Sequence, residues 1–213
     1  MIKTIRACFF VLGLTGIVLH IMHTERLVQL FSYYTMQSNL FVVLLWGLML
    51  RKNHRKTSTF NTLHFIATVG ITITFLVYHF LLVPVLIDLD INYPLYTLND
   101  LFVHYITPWL MIIDYVLLTP KNRLRITRLF SVVVFPIAYM FYVIGYQSLG
   151  GRYIIDETVS RFPYFFMDID QYGVLTVTLY SLLILSGFII SALILEGIKY
   201  YCHKIPMIGR LNA

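Results

Sequence analysis

Residues 61–86, NTLHFIATVGITITFLVYHFLLVPVL, contain no Asp, Glu, Lys or Arg. A segment needs about 20 mostly apolar residues to cross the hydrocarbon core of a bilayer as a helix. Inside that core the backbone has no water to bond, so it must satisfy its own hydrogen bonds, as a helix does. The stretch therefore predicts a membrane-spanning helix and decides the fold class of the chain.

Five further stretches of similar character lie on either side of it, at roughly 7–23, 31–50, 99–119, 129–148 and 173–197. The chain has 213 residues, of which 59% are hydrophobic and only 12% charged, and its mean hydropathy is +0.78. This composition excludes an ordinary water-soluble domain. We predict an all-α polytopic membrane protein: residues 1–213 form a single domain, one bundle of six transmembrane helices.

The positions of the basic residues predict the orientation, because cytoplasmic loops near span ends are enriched in Lys and Arg. If the N-terminus is cytoplasmic, 13 of the 16 basic residues fall on the cytoplasmic side. These are Lys3, Arg6, Arg51, Lys52, Arg55, Lys56, Lys121, Arg123, Arg125, Arg128, Lys199, Lys204 and Arg210. We therefore expect both termini in the cytoplasm.

The basic residues form short clusters at span ends and no continuous stripe with aromatics, so we expect no nucleic-acid partner. Anionic lipid headgroups at the cytoplasmic face suit these clusters better. Cys8 and Cys202 both fall near that face, where thiols stay reduced, and no disulfide is expected. No small-residue cleavage site follows the first apolar run, so we interpret it as a span and not as a secretory signal.

Polar side chains within the spans are the candidates for function, because they are costly in hydrocarbon and usually face the bundle interior or a cavity. Thr35 lies four residues into the second span, about 6 Å below the outer boundary at the helical rise. His104 in the fourth span and His79 in the third reach a similar depth. His20, near the outer end of the first span, is a fourth residue at this level. Gly13 and Gly16 in the first span would allow a neighbouring helix to approach closely.

Residues three, four and seven apart share one face of a helix, which gathers further polar groups around these four. The faces are Thr35, Ser38 and Asn39 on the second span, His64, Thr68, Thr72 and His79 on the third, and Asp100, His104, Thr107 and Asp114 on the fourth. Near the outer side the three faces are expected to converge on Thr35, His79 and His104.

A hydroxyl nucleophile needs a base to take its proton, and an imidazole is the usual partner. We predict Thr35 and His104 as such a pair. Ser38, Asn39 or His79 would donate hydrogen bonds to the developing oxyanion. Asp114 lies about 15 Å along the helix from His104, too deep to orient its ring, so no linear triad is predicted. For Asp114 we favour an interhelical hydrogen bond.

Other interpretations of the same residues stay open. Thr35 can bond back to a carbonyl one turn earlier, and each histidine can simply bond a neighbouring helix. His20, His79 and His104 with a water molecule would suit a catalytic zinc ion, although they lack a close spacing motif. Paired histidines on neighbouring helices could also hold a haem. We favour a site without any cofactor.

Four short segments carry a family resemblance: YYTMQSNL at 33–40, YHFLLVP at 78–84, LNDLFVHYITP at 98–108 and DYVLL at 114–118. Through them the chain resembles a bacterial family of six-span membrane proteins and, more distantly, the androgen-induced-gene proteins of animals. The latter are membrane hydrolases that cleave fatty acid esters of hydroxy fatty acids with an intramembrane threonine and histidine. The resemblance implies that Thr35 is the nucleophile and His104 the base, and it implies the plasma (inner) membrane of a bacterium.

The leading hypothesis is therefore an integral membrane lipid ester hydrolase that acts on an amphiphilic fatty-acyl ester near the outer face. One alternative is a protein that binds, transports or senses a small hydrophobic ligand without reacting with it. A second is a histidine-ligated, metal-dependent membrane hydrolase. The physiological substrate and the oligomeric state are left open by the sequence.

Overall fold

A computed structural model describes residues 1–51, 57–88, 95–120, 125–155 and 158–205. Within these ranges, five helical segments are long and apolar enough to cross a membrane: Ile2–Met22, Ser58–Asp88, Leu98–Leu117, Ile126–Ser148 and Ile169–Cys202. A further apolar helix, Tyr34–Leu50, has 17 residues. Several of the basic residues used to predict the orientation lie outside the described residues, namely Lys52, Arg55, Lys56, Lys121, Arg123 and Arg210.

Ten α-helices are described, several of them consecutive parts of one long segment. They are α1 (Ile2–Met22), α2 (Leu27–Ser32), α3 (Tyr34–Leu50), α4 (Ser58–Val77), α5 (Val83–Asp88), α6 (Leu98–Leu101), α7 (Thr107–Leu117), α8 (Ile126–Ser131), α9 (Val134–Ser148) and α10 (Ile169–Cys202). The expected continuous helix at 31–50 is wrong in one respect, because the chain is extended at Tyr33 (φ −76°, ψ 141°). Thr35 therefore lies in the first turn of a helix, where the backbone N–H groups have no carbonyl one turn earlier.

Two π-helical turns interrupt the third and fourth long segments. Tyr78–Leu82 joins α4 to α5 and precedes Pro84, and Phe102–Ile106 joins α6 to α7 and precedes Pro108. A proline inside a helix lacks the N–H and crowds the carbonyl four residues earlier, which for Pro108 is that of His104. The wider π turn accommodates this crowding, and such turns are frequent at functional sites.

Helix α4 is the centre of the bundle, since it packs against α3, α7 and α10, and residues 65–74 are all buried. Helix α1 packs against α3 and against the π turn of the fourth segment. A Cβ atom added at Gly13 would lie 2.9 Å from Val43, and one at Gly16 would lie 2.8 Å from Phe102. These two glycines permit the close approach that the sequence indicates.

The long connector before α10 adds two short strands to the expected all-helical fold. Strand β1 (Tyr153–Ile155) pairs antiparallel with β2 (Thr158–Ser160), and the side-chain amide of Gln29 donates to the carbonyl of Ile154. A 3₁₀ turn at Phe165–Met167 follows. The strands lie beside the start of α3, and we call this side of the bundle the hairpin end.

Helix α10 changes direction at Gly173, whose backbone (φ 75°, ψ 161°) is in a region that favours glycine. Both α9 and α10 share a hydrophobic core with α4, but few of their described backbone positions lie close to one another. A cavity lies between them.

Candidate active site

Thr35 and His104 are in contact. The hydroxyl oxygen Oγ1 of Thr35 lies 3.3 Å from Nε2 of His104, and the two residues come from the first turn of α3 and from the π turn of the fourth segment. His104 is 6% exposed. A nucleophile–base hydrogen bond of this length is common in a site without substrate. The remaining question is whether Nε2 is free to accept the proton.

The carboxylate of Asp100 fixes the tautomer of the His104 imidazole and so leaves Nε2 free to accept the proton. Nδ1 of His104 lies 3.0 Å from Oδ1 of Asp100, one helical turn earlier, and the hydroxyl of Tyr78 donates to Oδ2 of the same carboxylate. A carboxylate accepts hydrogen bonds, so Nδ1 carries the proton and Nε2 is the acceptor facing Thr35. Thr35, His104 and Asp100 thus form a hydroxyl–imidazole–carboxylate chain of the kind found in serine hydrolases.

From the sequence, Asp100 had no predicted role and no triad was expected. The available signal was the four-residue spacing, which puts Asp100 and His104 on one helix face. Tyr78 had no such signal, since its role comes from another helix: its ring stacks on His104 with centroids 3.7 Å apart and planes 7° apart.

Asn39 and Ser38 hold the backbone around the nucleophile. Nδ2 of Asn39 donates to the carbonyl of Thr35 (2.8 Å) and to that of Val103 (3.0 Å), which links α3 to the residue before His104. The hydroxyl of Ser38 lies 2.9 Å from the Thr35 carbonyl and 2.8 Å from the hydroxyl of Thr74. Both amide hydrogens of Asn39 are used in this way, so the structure gives it a positioning role where an oxyanion donor was predicted.

The other histidines do not join this group. Nδ1 of His79 lies 3.0 Å from the hydroxyl of Tyr105, so its hydrogen bond goes neither to Thr35 nor to His104. His20 lies near His104, and its Nδ1 is buried without a partner among the described residues. Within the described part of the chain, no three His, Cys, Asp or Glu side chains are grouped so that they could hold a metal ion. The metal set of His20, His79 and His104 is therefore not assembled.

Asp114 belongs to a separate, fully buried network. Its Oδ1 lies 2.7 Å from Nε of Arg6, and its Oδ2 accepts from Nε1 of Trp46 (3.0 Å) and lies 3.1 Å from Nε2 of His64. Arg6 also donates to the carbonyl of Leu118. The carboxylate thus joins α1, α3, α4 and α7, and its partners mark it as a structural residue.

Tyr164 covers the start of α3 from the hairpin end. Its ring centroid lies 5.9 Å from that of Tyr33, and its hydroxyl is close to Thr35 and Tyr34. Burial raises the pKa of Tyr164 above its ordinary value, so the phenol stays protonated. The first backbone bond within α3 runs from the N–H of Gln37 to the carbonyl of Tyr33, which leaves the amides before Gln37 for other acceptors. The amides in the first turn of α3 are thus available to an acceptor near Thr35.

A cavity of about 280 Å³ opens beside Thr35, between α4, α9, α10 and the 3₁₀ turn. Thr35, Tyr164 and Gln147 line it at the hairpin end, whereas Ile73, Pro136 and Phe188 line its apolar far wall. Its lining on α9 runs from Gln147 to Pro136, about 16 Å of helix. The cavity is therefore elongated and mostly apolar.

No family model matches the chain, and no curated protein and no solved structure matches it either. The function therefore has to be inferred from the arrangement of Thr35, His104 and Asp100 and from the apolar cavity beside them.

Proposed function

We propose that the protein is an integral membrane hydrolase that cleaves carboxylic esters of fatty acids, with Thr35 as the nucleophile. The observation that carries this proposal is the chain of contacts from Thr35 Oγ1 through the His104 imidazole to the Asp100 carboxylate. In water a threonine hydroxyl is a weak nucleophile, and a positioned base with the correct tautomer is what activates it.

The reaction proceeds in two halves. Thr35 Oγ1 attacks the acyl carbonyl carbon while Nε2 of His104 takes its proton, and Asp100 stabilises the imidazolium. The bond between the carbonyl carbon and the alcohol oxygen then breaks, and His104 returns the proton to the leaving alcohol. Water next attacks the acyl-threonine with His104 as base, and the fatty acid leaves as Thr35 regains its proton.

Backbone amides at the start of α3 are suited to stabilise the oxyanion. The N–H groups of Tyr34 and Thr35 lie in the first turn of α3, before the first amide that bonds a carbonyl one turn earlier, and so can donate to an acceptor beside the nucleophile. Donors fixed in this way need no reorganisation as charge develops, and each is worth roughly 10²–10³ in rate in known hydrolases. In this proposal these amides donate to the substrate's carbonyl oxygen.

The apolar walls of the cavity support a fatty-acyl ester as the substrate class. A hydrocarbon chain can lie against Ile73 and Phe188 while its ester group is beside Thr35. The resemblance to the androgen-induced-gene proteins points in the same direction and suggests esters of hydroxy fatty acids among the substrates.

We further propose six membrane crossings with both termini in the cytoplasm of a bacterium. The second crossing is then made by α3, whose 17 residues are at the lower limit of about 17–25 for a spanning helix. In this orientation the hairpin end and Thr35 lie near the outer face, and the basic clusters contact anionic lipid headgroups.

The test is covalent labelling of the purified protein with a fluorophosphonate probe. Thr35→Ala and His104→Ala should each abolish labelling, whereas Thr35→Ser should keep it. Thr15→Ala is the matched control, because Thr15 is a helical threonine whose hydroxyl donates to the carbonyl of Val11 one turn earlier. Labelling at the wild-type level in both alanine variants would refute the nucleophile and base.

The apolar cavity also favours a second candidate, a protein that binds a hydrophobic ligand without reacting. Intact-mass spectrometry after incubation with an acyl ester separates the two. An acyl adduct on Thr35 is expected for the hydrolase. A bound but intact ester, with no adduct and no product, would favour the binder.

A further inference from the structure

The gap between α9 and α10 is the unusual feature of the bundle. These helices follow one another in the chain and share a hydrophobic core with α4, but few of their described backbone positions lie close to one another. The cavity beside Thr35 occupies the space between them, with lining residues from both, such as Met140 and Ser181. A gap between two neighbouring long apolar helices faces the lipid side of the bundle.

The mouth of the cavity is apolar and exposed. Met140 and Ile144 on α9 line the cavity and are 41% and 56% exposed. Both lie within Ile126–Ser148, one of the segments apolar enough to cross a membrane. In a bilayer the molecules that touch this mouth are hydrocarbon chains, because exposed side chains of a spanning segment at this depth face lipid.

We propose that the substrate's acyl chain enters sideways from the bilayer, between α9 and α10, and that a single-chain amphiphile is the class of ligand bound. This inference rests on the proposed function for the identity of the reacting group. The chain lies along the cavity toward Pro136 and Phe188, and its ester is held at the hairpin end next to Thr35.

The length of the cavity suits an extended acyl chain. Its lining on α9, from Pro136 to Gln147, covers about 16 Å of helix. One acyl chain can lie along this wall, with any remainder extending through the mouth into lipid.

The polar end of the ligand is recognised at the hairpin end. Gln147 lines the cavity there, and its Nε2 is buried without a partner among the described residues. A buried amide without a partner is costly. An acceptor oxygen on the ligand's polar end would pair with it after a rotation of the flexible side chain, and this fixes the direction in which the chain enters.

The first test places a bulky side chain in the space between α9 and α10. Ser181→Trp adds bulk to a cavity-lining position on α10, and Leu182→Trp is the matched control on the neighbouring residue, which is 56% exposed and does not line the cavity. Hydrolysis in lipid vesicles is measured for a lauroyl and a butyryl 4-nitrophenyl ester. Ser181→Trp should lower kcat/KM for the lauroyl ester about tenfold or more and leave the butyryl ester nearly unchanged, because small changes in a fitted apolar pocket cost about 10- to 200-fold. Equal rates for both esters in Ser181→Trp and Leu182→Trp would overturn the proposal.

The second test does not need turnover. A fatty ester with a photoreactive diazirine at mid-chain is incorporated into vesicles with the wild-type protein or with Thr35→Ala, and crosslinked peptides are identified by mass spectrometry. Labelling of α9 and α10 at cavity residues, reduced by Ser181→Trp, is expected in both proteins. Labelling spread over all lipid-facing helices would refute the entry route even if hydrolysis is observed, whereas the expected labelling without hydrolysis would refute only the catalytic proposal.

Discussion

The two buried carboxylates of the fourth long segment provide the sharpest prediction. Asp100 and Asp114 are 1% and 0% exposed, yet one accepts from the proposed catalytic imidazole and the other from Arg6 and Trp46. Replacing each by asparagine removes one charge while conserving shape. Asp100→Asn should impair the reaction, and Asp114→Asn should impair stability.

The expected loss of rate in Asp100→Asn follows from the two contacts of the Asp100 carboxylate, with His104 and with Tyr78. If the new amide group donates to Nδ1 of His104, the imidazole carries its proton on Nε2 and can no longer accept from Thr35, which costs about 10⁴ in rate in a hydroxyl–imidazole–carboxylate triad. If the amide group instead faces Tyr78, only the charge is lost, and a hydrogen bond to a charged group is worth about 1.5–3 kcal/mol, or roughly 10- to 150-fold. We expect a loss between these limits, on the order of 10- to 10⁴-fold. The fold should be kept, since the hydroxyl of Tyr78 can both donate and accept.

The expected loss of stability in Asp114→Asn follows from the ion pair with Arg6, whose Nε lies 2.7 Å from Oδ1 of Asp114. Both side chains are almost fully buried, and a buried charge left without its partner costs about 3–5 kcal/mol. The melting temperature in detergent should fall clearly. The molecules that remain folded should label at the wild-type rate, because Thr35, His104 and Asp100 keep their contacts.

The assay is the second-order rate of fluorophosphonate labelling, normalised to folded protein, together with the melting temperature of each variant. The expected pattern is crossed: a slow rate with near-normal stability for Asp100→Asn, and a normal rate with low stability for Asp114→Asn. A labelling rate for Asp100→Asn within about threefold of wild type would refute the role of Asp100, because either orientation of the amide costs far more than that.

Two further predictions concern the supports of His104. In Gly16→Val the new side chain meets Cβ of Phe102, the first residue of the π turn. We expect this overpacking to cost about 1–3 kcal/mol of stability, to lower the melting temperature and to slow labelling. A melting temperature and a labelling rate equal to those of the wild type would contradict this packing. Tyr78→Phe keeps the ring stacked on His104 but removes the hydrogen bond to Asp100. Labelling should therefore slow roughly 10- to 100-fold. A labelling rate equal to that of the wild type would show that this hydrogen bond does not serve the reaction.

The helical segments were predictable because their cause is local. A run of about 20 apolar residues can satisfy its backbone in lipid only as a helix, whatever lies beside it. The stretch 61–86 accordingly lies within the helical segment Ser58–Asp88, and the other predicted stretches lie within or close to the segments observed. The break at Tyr33 was not predictable from hydropathy, because a single extended residue hardly changes the composition of the run.

The site was predictable in part. Counting residues along two helices predicts that Thr35 and His104 lie at the same level, and the structure brings these two side chains within 3.3 Å. Asp100 was on the correct face but had no assigned role, and His79 was expected at the site but bonds Tyr105 instead. Residue counting fixes the depth of a side chain but not the rotation of its helix, and a π turn changes that rotation.

The sequence by itself thus determines that long apolar helices form and at which position along each helix the polar residues lie, because both depend on a few neighbouring residues. Only the tertiary structure decides which polar side chains meet. It assigns Asp100 to His104 and Asp114 to Arg6, and it places Tyr164 over Thr35. It also leaves α9 and α10 apart. These outcomes depend on how helices rotate and pack against one another, and packing is set by side chains that are distant in the sequence.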